Sequence, residues 1–179
     1  GTSQYGGCMA MTFKTMLPCL ISTDPDPTGL GRWISHLYEG KGDHKARFVT
    51  GYFPCKNMGK QTVYSQHRAY FTSIKSDQEP HQAWLEDFQE AVTSWLGQGE
   101  KIVIQLDANS DVRDGPVAKM LQPLGFAEQI TTRHSFDEPP PGTHIANKRG
   151  TPIDGIWTNF AHGTLRCGYL GFQEGLPSD

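Results

Sequence analysis

The pattern of apolar and polar positions predicts alternating strands and helices. Arg32–Tyr38 and Arg47–Phe53 read as two strands joined by the polar, Gly-containing link Glu39-Gly40-Lys41-Gly42-Asp43-His44, the pattern of a hairpin with a longer turn. Val63, His67, Tyr70, Phe71 and Ile74 fall on one face of a 3.6-residue period, which predicts a helix. Trp84, Phe88, Ala91, Val92 and Trp95 repeat the pattern, with Glu86, Asp87 and Glu90 on the opposite face and Gly97 and Gly99 as a stop. The run Lys101–Leu106 is apolar and β-branched, and predicts a strand buried on both faces. A short helix from Pro116 to Leu124, closed by Gly125, follows. Strands are expected at residues 8–13, Ile153–Trp157 and Leu165–Gly171. Residues 17–30, with Pro18, Pro25, Pro27 and Gly29, and residues 137–150 carry loop signatures. Hairpins mixed with strand-following helices predict an α/β layered sandwich around a mixed β-sheet.

Composition narrows this picture. The 179 residues suit one domain, residues 1–179, and the 36% hydrophobic content allows a core. No apolar run is long enough to span a membrane, so no membrane partner is expected. A net charge of −3 argues against bulk-charge binding to nucleic acid but leaves room for local phosphate contacts. Cys8, Cys19, Cys55 and Cys167 form no C-x-x-C pair. They read as reduced thiols and suggest an intracellular protein, its compartment open. Trp33, Tyr38, Trp84 and Trp95 are read as core.

Candidate chemistry begins where the 101–106 strand ends. Asp107 and Asn109 are two residues apart and are expected to face one crevice. Asp107-Ala108-Asn109-Ser110-Asp111 also reads as plain Asx-turn chemistry. Asp154 stands between Ile153 and Gly155-Ile156-Trp157, where a carboxylate needs a pair, a hydrogen bond or a metal unless its strand is half exposed. Pro177-Ser178-Asp179 alone would be an exposed terminus.

Taken in order, these pieces resemble the endonuclease/exonuclease/phosphatase superfamily, which has a DNase-like fold. An apolar strand ends in Asp107-x-Asn109, Ile153-Asp154-x-Ile156-Trp157 follows, and Ser178-Asp179 comes last. Upstream, Val49-Thr50-Gly51-Tyr52-Phe53-Pro54 is similar to the family's strand carrying a site residue before a proline. Gly6-Gly7-Cys8-Met9-Ala10 resembles its Gly-Gly-x-Ala strand, and the helix holding Gln66, His67 and Arg68 fits its spacer. The resemblance implies a Mg²⁺ (or Mn²⁺) phosphodiesterase. Asp107 would position or deprotonate the attacking water, and Asn109 and Tyr52 would hold phosphate oxygens. Asp154 would orient a catalytic histidine, and Asp179 would bind the metal.

The family's metal-binding Glu and its catalytic His have no counterpart in this sequence. The expectation is therefore an incomplete domain with weak or no activity, derived from a nuclease family. The alternatives are a non-catalytic binding module or relic on the same fold, or a phosphatase for small phosphoesters. Lys56, Lys60, Arg68, Arg133, Lys148 and Arg149 favour nucleic acid, with DNA first, over a small phosphoester. His134 and His144 flank the Pro-rich loop without forming a ligand motif.

Overall fold

The computed structural model describes residues 5–133, 142–143, 151–160 and 166–169. Six strands form one mixed sheet. The elements run β1 (Leu20–Pro25), β2 (Trp33–Glu39), β3 (Lys45–Tyr52), α1 (Val63–Ser73), α2 (Pro80–Gly97), β4 (Lys101–Asp107), α3 (Pro116–Leu121), β5 (Ala127–Glu128) and β6 (Asp154–Thr158). The strand order is β1-β2-β3-β4-β6-β5. Neighbours are antiparallel except β3 and β4, which pair in parallel and need the α1–α2 crossover between them.

The two long helices begin where their caps allow. The Thr62 side chain accepts from Ser65 N at the start of α1. The Glu79 carboxylate accepts from His81 N and Gln82 N at the start of α2, ahead of Pro80 in the first turn. Past α2 the chain turns through Gly99 in the left-handed region (φ 74°). The apolar stripe of α2, Trp84, Phe88, Val92 and Trp95, packs with α3 on one sheet face, against Trp33, Val49, Ile102, Ile104, Leu106 and Trp157. The four aromatic residues assigned to the core, Trp33, Tyr38, Trp84 and Trp95, are all buried.

Five expectations need correction. Residues 8–13 form no strand: they run extended with alternating outward side chains, and no sheet strand takes them as a partner. Residues 20–25, read as loop, form β1, because Pro25 sits at the end of an edge strand where no ladder bond is lost. β4 is not buried on both faces; Ile102, Ile104 and Leu106 are buried while Lys101 and Gln105 are exposed. The helices cover only one side of the sheet. The buried face of α1 is Tyr64, His67 and Phe71, and Ile74 is exposed just past its end. Arg166–Tyr169 are not in a strand; the rest of that expected strand lies outside the described residues.

Two buried arginines tie the layers together. Arg47 donates to both carboxylate oxygens of Glu100 at 2.6 and 3.0 Å, to Asp24 at 2.7 Å and to Ser35 at 2.8 Å. Its guanidinium also stacks on Trp95. Arg32 grips Asp26 through two bonds of 2.8 Å, reaches Asp87 of α2 at 2.8 Å and lies over Trp33. Arg47→Met leaves Glu100, 2% exposed, as an unpaired buried charge. The expected loss is about 3–5 kcal/mol in urea unfolding, with a smaller loss for the Arg47→Met/Glu100→Gln double variant. Equal losses in the two would refute the pairing argument.

His67 on α1 is 2% exposed, and its Nδ1 has no partner among the described residues. Burial, with the Arg32 cation adding, lowers its pKa to about 4 from 6.5. Between those values the unfolded chain binds a proton that the folded chain does not, so stability rises with pH across this window. Linkage gives about 3 kcal/mol, fully present above pH 6.5 and lost toward pH 4. Asp26 acts lower: burial raises its carboxyl, but Arg32 prevails and holds it below 3.8. Denaturant midpoints measured from pH 7 to pH 4.5 should fall for the wild type and stay nearly flat for His67→Gln.

Candidate functional site

The parallel register sets Tyr52 beside Asp107, and the antiparallel register sets Asp107 beside Asp154. Three strands thus end in one row, Tyr52–Asp107–Asp154, on the sheet face that the helices leave open. Asp107 and Asp154 line a cavity of about 450 Å³ together with Thr50, Gln105, Ile156 and Tyr169. Like charges directly opposite across a ladder repel.

Glycines make the row possible. A Cβ on Gly51 would stand 2.6 Å from Leu106 Cδ1, and one on Gly155 would stand 2.7 Å from the Trp157 ring. The missing Cβ at Gly155 makes room for the rigid Trp157 ring, and that at Gly51 for the end of the Leu106 side chain, on the face behind the acids.

Asn109 corrects the expectation of a shared direction with Asp107. β4 ends at Asp107, and Asn109 takes a left-handed backbone (φ 43°), so the two-residue strand period no longer applies. Its backbone N–H donates to Asp107 Oδ1 at 3.0 Å, an Asx turn. Its side-chain amide donates to Phe53 O at 2.8 Å. Asn109 therefore clasps the end of β3 rather than lining the acidic cavity. The Tyr52 hydroxyl shares this corner. Burial raises its pKa and Asp107 adds to that, while the Cys55 backbone and the Asn109 side chain pull the other way.

Nearby side chains have partners of their own. Asp111 accepts two bonds from the Arg113 guanidinium, at 2.8 and 2.6 Å, which holds its carboxyl low despite some burial. Glu128 accepts from Ile130 N, Thr131 N, Thr131 Oγ1 and Ile156 N and so organises the β5–β6 corner. Burial, with Asp26 and Asp107 adding, pushes the Cys8 thiol up to about 11, so it stays protonated.

Two supports carried no sequence signal. Thr143 Oγ1 accepts from Ile153 N at 2.9 Å and Asp154 N at 3.1 Å, and Tyr169 donates to Asp154 O at 2.9 Å. Each depends on a loop conformation that residue spacing does not encode. Asp179, His134, His144, Lys148 and Arg149 lie outside the described residues. Among the described residues no group of three or more His, Cys, Asp or Glu is placed to hold a metal ion.

This mixed sheet with its helices is an α/β DNase-like fold. Among solved structures it is similar to the human Nocturnin catalytic domain with bound sulfate, with a TM-score of 0.50 and 14% identity over 78% of this chain. The chain spans about half of that one, 47% of its length. Looser matches include an endonuclease/exonuclease/phosphatase family protein from Leptotrichia buccalis, with TM-score 0.36, 12% identity, 72% of this chain and 42% of that one. Another is D. rerio TDP2 complexed with a single-strand DNA product, with TM-score 0.39, 15% identity, 81% of this chain and 54% of that one. No protein-family model matches the sequence, and no curated protein does.

Asp154→Asn removes one of the two opposed charges. It should raise metal-free stability by roughly 0.5–1 kcal/mol. If Mg²⁺ or Mn²⁺ raises the Tm of the wild type, the rise should be smaller in this variant. A melting series with and without each ion checks both signs; unchanged shifts in the variant would remove Asp154 from the site.

Proposed function

We propose that this chain carries part of a Mg²⁺- or Mn²⁺-dependent phosphodiester-hydrolysing site of the endonuclease type, acting on DNA. The observation that carries the reading is the cross-strand pair Asp107–Asp154 lining an open cavity, with Tyr52 in register beside Asp107. Mg²⁺ is held by one or two carboxylates together with waters and substrate phosphate oxygens, so two adjacent carboxylates fit it without a closed cage. Bound there, the ion would neutralise charge that develops on the phosphate.

In this reading Asp107 orients or deprotonates the attacking water. Tyr52, whose burial keeps its hydroxyl protonated, donates to a phosphate oxygen. The Asn109 amide holds the Phe53 carbonyl and through it the end of β3, and its contact to phosphate is secondary. Asp154 orients the protonating group, and Asp179 completes the metal set. Lys56 and Lys60 are exposed on the segment that leaves the site end of β3, and Arg68 is exposed on α1. They suit contacts to a nucleic-acid backbone, which favours DNA over a small phosphoester.

Turnover by these 179 residues alone is expected to be slow, because the resemblance assigns none of them to the metal-binding Glu or the catalytic His. In a supercoiled-plasmid assay with Mg²⁺, slow nicking is expected, absent with chelator and lower by at least about 10²-fold in Asp107→Ala. Equal nicking by Asp107→Ala would overturn the catalytic role. Absence of both nicking and Mg²⁺-dependent DNA binding would point to the binding-module alternative.

A further inference from the structure

The chain leaves β3 through Tyr52, Phe53 and Pro54, and there the ladder ends. β4 stops at Asp107 opposite Tyr52, and Pro54 has no N–H to offer. Phe53 and Pro54 are nonetheless buried, so their carbonyls need donors from elsewhere. Side chains grip three successive carbonyls. Trp84 Nε1 donates to Tyr52 O at 3.0 Å, Asn109 Nδ2 to Phe53 O at 2.8 Å, and His81 Nε2 to Pro54 O at 2.7 Å. A carbonyl only accepts, so His81 Nε2 carries a proton. Two backbone bonds complete the grip: Tyr52 N donates to Arg32 O at 2.9 Å, and Phe53 N donates to Asp107 O at 2.8 Å.

His81 and Trp84 stand three residues apart near the start of α2, on one face of the helix. The Phe53 ring packs on both, tilted on His81 at a centroid distance of 4.4 Å and edge-on to Trp84 at 5.1 Å. The His81 ring also meets Tyr64 of α1 edge-on at 5.2 Å, and the Tyr64 hydroxyl donates to Glu79, the cap of α2. The imidazole is thus held in one orientation. Any large ring at position 81 would satisfy the packing; a ring nitrogen aimed at Pro54 O does more than packing needs. Trp84 is fully buried and serves the core as well. His81 is half-buried, and what it adds is the donor.

We propose that His81 is a positioning residue: through Pro54 O it fixes the exit of β3 and so holds Tyr52 in register beside Asp107. Its chemical consequence rests on the phosphodiester-hydrolysing reading, in which Tyr52 donates to a phosphate oxygen; the positioning itself does not. Loss of the donor strands a buried carbonyl and releases the exit segment. A displacement of about 1 Å at Tyr52 is enough to slow a reaction that depends on it.

Two variants separate the donor from the ring. His81→Phe keeps a ring against Phe53 and loses the donor; His81→Gln restores a donor at the reach of Nε2. Hydrogen exchange read by NMR on the 179-residue chain is the first measurement, and it needs no activity. The Phe53 amide and the Trp84 indole N–H should exchange at least about 10-fold faster in His81→Phe and stay within about 3-fold of the wild type in His81→Gln, with the amides in the middle of β2 unchanged. Unchanged exchange at Phe53, an equal rise in both variants, or a rise spread through every strand overturns the proposal. Plasmid nicking with Mg²⁺ then supplies a double-mutant cycle. His81→Phe should slow nicking roughly 10-fold at unchanged KM in the wild-type background, and leave Tyr52→Phe no slower than it already is. The same slowing in both backgrounds makes the two residues independent and overturns the positioning role. The local exchange pattern without any nicking, or with Tyr52→Phe as active as the wild type, overturns the reading of the reaction and supports the hold of His81 on the β3 exit.

Discussion

The parallel pairing of β3 with β4 is the constraint on which the rest of the molecule depends. Two parallel neighbours cannot be joined by a tight turn, so the chain between them must climb back over the sheet. Here it does so as α1 and α2, and those helices land on one face. The same pairing brings the carboxyl ends of β3 and β4 to one edge. β6 then returns antiparallel beside β4 and adds its first residue to that edge. The row Tyr52–Asp107–Asp154 follows from this register alone.

Charge is handled differently on the two faces. On the helix side Arg32 and Arg47 sit in the interior, and each has two carboxylate partners plus an aromatic ring. Removing one partner there leaves a stranded charge, so these networks are structural commitments. On the open side two acids face one another across the ladder at a cavity. Around them, Asp111 and Glu128 have their oxygens taken by nearby donors, and Asp107 Oδ1 accepts from Asn109 N.

The helices, the β2–β3 hairpin and the acids at 107 and 154 were legible because each rests on local information: a 3.6-residue period, a polar turn, or a charge inside an apolar run. What was not legible depends on partners distant in sequence. β1 is masked by Pro25, which its end on an edge strand tolerates, and by Pro27 in the turn just beyond it. β4 reads as doubly buried because Val103 and Ile104 are β-branched whether or not a helix covers both sides; its true alternation shows only in Lys101 and Gln105. Residues 8–13 have the alternation of a strand, yet sheet pairing also needs a free edge, and β2 is already flanked by β1 and β3. Asn109 lies just past the strand end, where a positive φ turns its amide toward Phe53. Thr143 and Tyr169 enter through loops whose paths are set by tertiary contacts.

A repelling pair of carboxylates can persist at a sheet edge only if the backbone beneath it cannot relax. Two glycines supply that rigidity through the side chains they admit. Leu106 and Trp157, 4% and 0% exposed, pack where a Cβ on Gly51 or Gly155 would intrude. Each belongs to the core shared with α2 and α3. Moving Asp107 away from Asp154 would drag β4 and β6 apart and open that core. The hydrophobic packing on the covered face thus holds the acids in register on the open one, in the manner of a preorganised site whose supporting shell lies behind the strands. The helices lie on the opposite face from the two acids, and the acids keep their register because of them.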